Sequence, residues 1–154
     1  MRARLATLLA TVGYVGFIPI APGTFGSAVG LAVYAAVAVA NSWAVEALVL
    51  AVVIVAGTWA ADCVEREMGK DPGAVVIDEV AGMLVTLAFI NVSVTGAIVG
   101  FFIFRLLDVI KPPPARRLEN VHGGPGIVLD DVMAGIYSNL VLRALIALFP
   151  DALA

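Results

Sequence analysis

The chain has 154 residues, of which 62 % are apolar and only 14 % charged, and its net charge is −3. Soluble domains run at roughly 45 to 50 % apolar and about 25 % charged, so a one-domain monomer of this composition has more apolar surface than it can hide from water, which favours insertion in a membrane over a soluble all-helical oligomer with large apolar interfaces. An acidic balance with no basic run excludes a phosphate-tracking nucleic-acid surface, and the single Cys63 excludes an intrachain disulfide.

The N-terminus, MRARLATLLATVGYVGFIPIAPG, has two arginines followed by an apolar run, in the manner of a signal peptide. Pro19 and Pro22 break the run, and APGTFGS leads straight into more apolar sequence, so the segment is expected to be retained as a short amphipathic or interfacial helix. Residues 26–40 read as the next helix, with Thr24 or Ser27 as the N-cap oxygen. Asn41 and Ser42 interrupt it. Residues 43–66 form a second apolar run near the ~20 residues that cross a bilayer. REMGKDPG (66–73) reads as a loop. Helices over 78–90 and 96–109, broken by NVSVT, are short for independent spans and are expected to form a hairpin. Pro112, Pro113 and Pro114 stop the second arm. A polar connector over 115–126 then precedes a last helix from about 130 to 149, with Pro150 as its stop. The expected fold is all-α: one domain over residues 1–154, a compact membrane bundle of about five main helices plus a short N-terminal one.

Basic residues fall on alternate connections. Arg2 and Arg4, Arg66 and Lys70, then Arg105, Lys111, Arg116 and Arg117 are separated by even numbers of helices, while residues 41–42 and 91–95 carry none. The positive-inside rule places the basic segments in the cytoplasm. PGTFGS, the 66–79 loop and residues 105–131 then emerge on one face, where a single active site can form.

Two stretches echo one another at an offset of 53. PGAVVIDEVAG (72–82) and PGIVLDDVMAG (125–135) share six positions: Pro, Gly, Val, Asp, Ala and Gly. In both, a turn delivers a carboxylate, Asp78 or Asp131, to a helix start, with Ala81-Gly82 or Ala134-Gly135 three and four residues on. Small residues let helices approach closely in membranes, which brings the two aspartates together. Alone, either aspartate could simply cap a helix and complement its dipole. Two acidic pairs, Asp78-Glu79 and Asp130-Asp131, with Asp108 as well, ask for more, because charges in a bilayer region are costly and mark function. Clustered carboxylates repel unless a cation lies among them. Oxygen ligands favour Mg²⁺, Mn²⁺ or Ca²⁺ over zinc, and Mg²⁺ is the choice here. Neighbouring residues on a helix point about 100° apart. One member of each pair, Asp78 and Asp131 by the echo, is therefore expected to ligate directly while the other reaches through water or acts as a base.

Arg105, Asp108 and Lys111 stand at i, i+3 and i+6. They form either an intrahelical ion-pair ladder or a phosphate grip in which Arg105 and Lys111 hold oxygens and Asp108 orients them or ligates the metal. Arg116 and Arg117 are assigned to lipid headgroups. His122 is either structural or the acid that protonates a leaving alkoxide. Gly123 and Gly124 would let backbone amides approach an anion. Thr24 and Ser27 are helix caps, or mark a helix start that touches phosphate.

FRLLDVIKPPP, NVHGGPGIVLDDVMAG, APGTFGS and KDPGAVVIDEVAG, in their order and spacing over about residues 11–144, closely resemble the phosphatidylglycerophosphatase A family. The resemblance implies a Mg²⁺-dependent, multi-pass phosphatase of the bacterial cytoplasmic (inner) membrane. Such an enzyme takes the terminal phosphate from phosphatidylglycerophosphate, leaves phosphatidylglycerol, and needs no obligate protein partner. The family's acidic motifs fall on Asp71, Asp78, Glu79, Asp108, Asp130 and Asp131, and its basic ones on Arg105 and Lys111. KPPPARR departs from the usual KPxPI, and the connector before Asn120 is compact, which touches the headgroup contacts more than the chemistry. The residues themselves fit that chemistry, since a phosphate dianion needs charge neutralisation and in-line attack by water or by an aspartate. Two alternatives are weaker. A CDP-alcohol phosphotransferase lacks a DGxxAR-like run here, and a carboxylate-lined cation carrier should place its acids in mid-helix.

Overall fold

Proline and glycine set many of the helix boundaries in the computed structural model, which describes residues 2–70, 72–118 and 121–154. The helices are α1 (Arg2–Ala10), α2 (Pro22–Ala38), α3 (Trp43–Met68), α4 (Ile77–Leu87), α5 (Val94–Ile110), α6 (Ala115–Leu118), α7 (Gly124–Leu148) and α8 (Pro150–Leu153), with a 3-10 turn at Val15–Phe17. There is no strand among the described residues. The five helices of 11 or more residues and the short N-terminal α1 are those expected from the sequence.

Several boundaries moved. Helix α2 begins at Pro22, whose fixed φ suits a first helical position, behind Ala21 in left-handed backbone (φ 50°) with no side-chain cap. Thr24 and Ser27 are therefore inside the helix rather than capping it, and the Ser27 hydroxyl donates to the Gly23 carbonyl at 2.9 Å. Helix α3 continues through Met68, so the polar 66–68 stretch is helical. Helix α5 has a true side-chain cap, Ser93 Oγ accepting from the Gly96 amide at 3.1 Å. It ends at Lys111, left-handed at φ 47°, directly before Pro112.

The largest shift is at α7, which starts at Gly124, six residues before the expected 130. HGGPG looks like a turn because glycine and proline resist helix. Packing decides otherwise: a Cβ at Gly124 would overlap the Thr58 carbonyl of α3, and one at Gly126 the Val121 carbonyl. These glycines let the first turn of α7 press against its surroundings. Asp130 and Asp131 therefore lie nearly two turns inside a helix.

Helix α4 is the centre of the bundle. Asp78 and every residue from Val80 to Leu87 are buried, enclosed by α2, α3, α5 and α7. Its closest approach is to α7, where a Cβ on Gly82 would lie 2.8 Å from the Asp131 carbonyl and one on Gly135 2.5 Å from the Gly82 carbonyl. The small residues of the echo do bring the two helices together. One apolar cluster gathers Ala60, Ala61, Val64, Val75, Ile127 and Val128 against α1. A second gathers Tyr34, Met83, Leu87, Phe104 and Leu142 farther along the bundle. Helices α3 and α7 are long and apolar enough to cross a membrane. Outward residues such as Leu48, Val52 and Val55 on α3, and Phe102, Leu106 and Val109 on α5, are well exposed.

Candidate active site

One end of the bundle holds a cavity of about 410 Å³ that gathers four chain segments. Ala21, Pro22 and Gly23 come from the start of α2, Gly73 and Val75 from the loop before α4, and Asp78 and Glu79 from the first turn of α4. Arg105, Asp108, Val109 and Lys111 come from the end of α5, and Ile127, Asp130 and Asp131 from α7. The convergence on one face anticipated from the basic segments is present.

All five carboxylates expected at a metal line this cavity, but they divide into two groups. Asp108 Oδ2 is paired with Arg105 Nη1 at 2.8 Å. Asp130 Oδ2 accepts from Lys111 Nζ at 2.6 Å, and its Oδ1 accepts from the Asp131 amide at 3.0 Å. The i, i+3, i+6 ladder is thus half formed: Arg105 meets Asp108, while Lys111 reaches across to α7. Arg105 Nη1 also lies 3.5 Å from Ser27 Oγ.

The second group is Asp78, Glu79 and Asp131. One carboxylate oxygen from each lies within 4.8 Å of the others. Asp78 Oδ1, Glu79 Oε2 and Asp131 Oδ2 are buried with no hydrogen-bond partner, and Asp78 and Asp131 are only 8 % and 3 % exposed. Buried carboxylates without partners are costly, by several kcal/mol per ion for desolvation alone, and like charges this close add repulsion. A cation removes both costs. Three hard oxygen donors with no thiolate or imidazole suit Mg²⁺ or Mn²⁺. The acidic pairs do not behave alike: both members of Asp78-Glu79 enter the cluster, but only Asp131 of the second pair.

Gly23 makes room for this arrangement, because a Cβ there would overlap Glu79 Oε1 and lie 3.4 Å from Arg105 Nη1. Sequence reading passed over Gly23; the only signal was its place in PGTFGS.

Other expected residues are placed elsewhere. His122 is exposed and outside the cavity lining. Gly123, at φ 87°, faces Asp62 of α3, and Gly124 packs on Thr58, and neither glycine lines the cavity. Thr24 is half-buried one residue beyond the part of α2 that lines the site. Asp71 lies outside the described residues.

Comparison with known proteins identifies the family. A family model for Phosphatidylglycerophosphatase A matches residues 8–146. A Bacteroides thetaiotaomicron protein carrying a provisional phosphatidylinositol-3-phosphatase name is 36 % identical over 146 residues, 90 % of this chain and 91 % of that one. The Phosphatidylglycerophosphatase A of Escherichia coli is 37 % identical over 130 residues, 82 % of this chain and 75 % of its own. That of Haemophilus influenzae is 39 % identical over 77 residues, 49 % of this chain and 47 % of its own. No solved structure matches. The match spans all four segments that build the cavity, and the chain belongs to the phosphatidylglycerophosphatase A family of phosphoric monoester hydrolases.

Proposed function

We propose that the chain hydrolyses the terminal phosphate monoester of phosphatidylglycerophosphate to give phosphatidylglycerol, with Mg²⁺ held by Asp78, Glu79 and Asp131. The observation that carries this reading is the convergence of three unpartnered buried carboxylate oxygens on a cavity that also presents Arg105 and Lys111. Family membership supports the substrate class. The apolar length of α3 and α7 supports a multi-pass placement, and the distribution of basic residues supports a cavity that opens to the bacterial cytoplasm.

A bound divalent cation supplies positive charge to the phosphate dianion. Arg105 presents its guanidinium to phosphate oxygens, and the ion pair with Asp108 holds one of its nitrogens at the cavity. Lys111, tethered to Asp130, brings a second cation to the same wall. Asp130 lines the cavity outside the three-carboxylate cluster, and we assign it the proton of an attacking water, which it would take on a carboxylate already bonded to Lys111 and to the Asp131 amide. Val109 and Ile127 give the wall an apolar side, against which the glycerol and the first acyl carbons of a lipid can lie.

The test is phosphate release by purified protein in detergent. Release from phosphatidylglycerophosphate should require Mg²⁺, stop with EDTA, and fall at least a hundredfold in Asp78→Asn and Asp131→Asn. Undiminished release by either variant rejects the assignment. Phosphatidylinositol 3-phosphate belongs in the same assay, because the Bacteroides relative carries that name; faster turnover of the inositol lipid would replace the substrate and leave the site as described.

A further inference from the structure

The echo at an offset of 53 continues beyond the residues that first revealed it. Asp131 meets Asp78 in the carboxylate cluster, Gly135 meets Gly82 at the helix contact, and Asn139 meets Thr86 through a hydrogen bond of 3.0 Å from its amide to the Thr86 carbonyl. Each pair is separated by the same 53 residues. Helices α4 and α7 therefore run parallel in one register, held at three levels about a turn apart.

The third level lies where α4 ends. The last carbonyls of a helix have no partner within it, and inside a bilayer no water replaces one. Asn139 Nδ2 lies 3.0 to 3.1 Å from the carbonyls of Val85, Thr86 and Ala88 and shares its two hydrogens among them, the Val85 carbonyl also accepting from the Ala88 amide. Its Oδ1 accepts from Arg143 Nε at 2.8 Å, which turns the amide hydrogens toward α4. Arg143 Nη2 donates in turn to the Ala88 and Phe89 carbonyls at 3.3 and 3.0 Å. From α3, Glu46 Oε2 accepts from the Phe89 amide at 2.9 Å. From α2, the Tyr34 hydroxyl donates to the Ile90 carbonyl at 3.0 Å.

We propose that Asn139, oriented by Arg143, is a positioning residue of the carboxylate centre: by gripping the end of α4 from α7 it sets the height of Asp78 and Glu79 against Asp131. Helix α4 is short, buried and without a proline, so displacement at its end is transmitted along its axis. A shift of a fraction of an ångström matters to a small hard cation, which demands near-ideal geometry. The inference rests on the cation-binding reading of the three carboxylates.

The test is Mn²⁺ binding to the full chain in detergent, followed by the electron paramagnetic resonance of free Mn²⁺, without lipid substrate. Asn139→Ala should bind Mn²⁺ about 10- to 100-fold more weakly than the parent, the range for residues that orient metal ligands. Arg143→Ala, which keeps the amide but frees its orientation and removes the guanidinium's own bonds to the Ala88 and Phe89 carbonyls, should fall between the two and remains informative if Asn139→Ala does not fold. Tyr34→Phe is the control, since it removes a hydrogen bond to the same connection beyond α4 and leaves the α4–α7 register alone; its affinity should match the parent's. Parent-like affinity in Asn139→Ala or Arg143→Ala overturns the proposal. So does an equal loss in Tyr34→Phe, which would mean general loosening. No Mn²⁺ binding by the parent removes the cation reading and this inference together.

Discussion

Asp78, Glu79 and Asp131 pose a stability problem as well as a catalytic one, because the three carboxylates converge and one buried oxygen of each has no hydrogen-bond partner. Without cation they repel, so in EDTA Asp131→Asn is expected to unfold at a higher temperature than the parent while its phosphate release is lost. Mg²⁺ should then raise the parent's midpoint and leave the variant's nearly unchanged, as linkage requires of a ligand that binds only the folded state. Scanning fluorimetry in detergent measures both. A variant that melts below the parent in EDTA would mean that the cluster stabilises the fold without a cation. Gly23→Ala tests the same cluster from outside: its methyl group displaces Glu79 Oε1, and a drop in Mg²⁺ affinity is expected with the fold retained. His122→Ala should keep activity within about threefold, the mark of a residue off the reaction path, since general acid catalysis is worth about 10² to 10⁴. A hundredfold loss in kcat would return His122 to the role that the sequence suggested.

At the scale of elements, the α4–α7 contact is the close approach that bears directly on the carboxylate cluster. Gly82→Ala puts a methyl group against the Phe104 ring and the Asp131 carbonyl. Overpacking of this kind costs about 1 to 3 kcal/mol, and here it should also separate the two carboxylate-bearing helices, so denaturant stability and Mg²⁺ affinity should fall together. Normal Mg²⁺ affinity in a destabilised Gly82→Ala would show that the helices yield elsewhere. The sequence disclosed this contact through Ala81-Gly82 and Ala134-Gly135. It also disclosed the helix count, because apolar runs are long and their breaks carry proline, asparagine or serine. It misled at the start of α7, where the glycines that look like a turn are the residues that let helix pack on helix. A cation carrier is disfavoured by acids at helix ends; Asp131 lies inside α7, yet its level in the bundle is still that of the cavity at one end. Asn139 and Arg143 were legible only as two polar residues four apart in an apolar helix. Nothing local says that their partners are carbonyls more than fifty residues away.

For the whole molecule, composition announced a membrane and the spacing of arginines and lysines an orientation. Arg143 breaks that pattern by sitting at the far end, and the structure explains why: its guanidinium is taken up by the Ala88 and Phe89 carbonyls. Orientation is testable with single cysteines in a chain whose Cys63 is replaced by Ala. Exposed Val39→Cys should react in intact cells with a maleimide that cannot cross the inner membrane, and exposed Lys70→Cys only after lysis. The reverse pattern would turn the cavity outward.

The eleven residues of α4 reach only about 17 Å at 1.5 Å per residue, and this has a consequence for how the protein is made. A segment so short, with two acids in its first turn, is a poor substrate for insertion on its own. It must wait for the chain that follows. Asp131, which closes the acidic cluster, and Asn139, which grips the other end of α4, both belong to α7, which leaves the ribosome well after α4. Until α7 is synthesised, a nascent chain can complete neither the carboxylate cluster nor the Asn139 grip on the end of α4, although α1, α2 and α3 already bond to the segments flanking that helix.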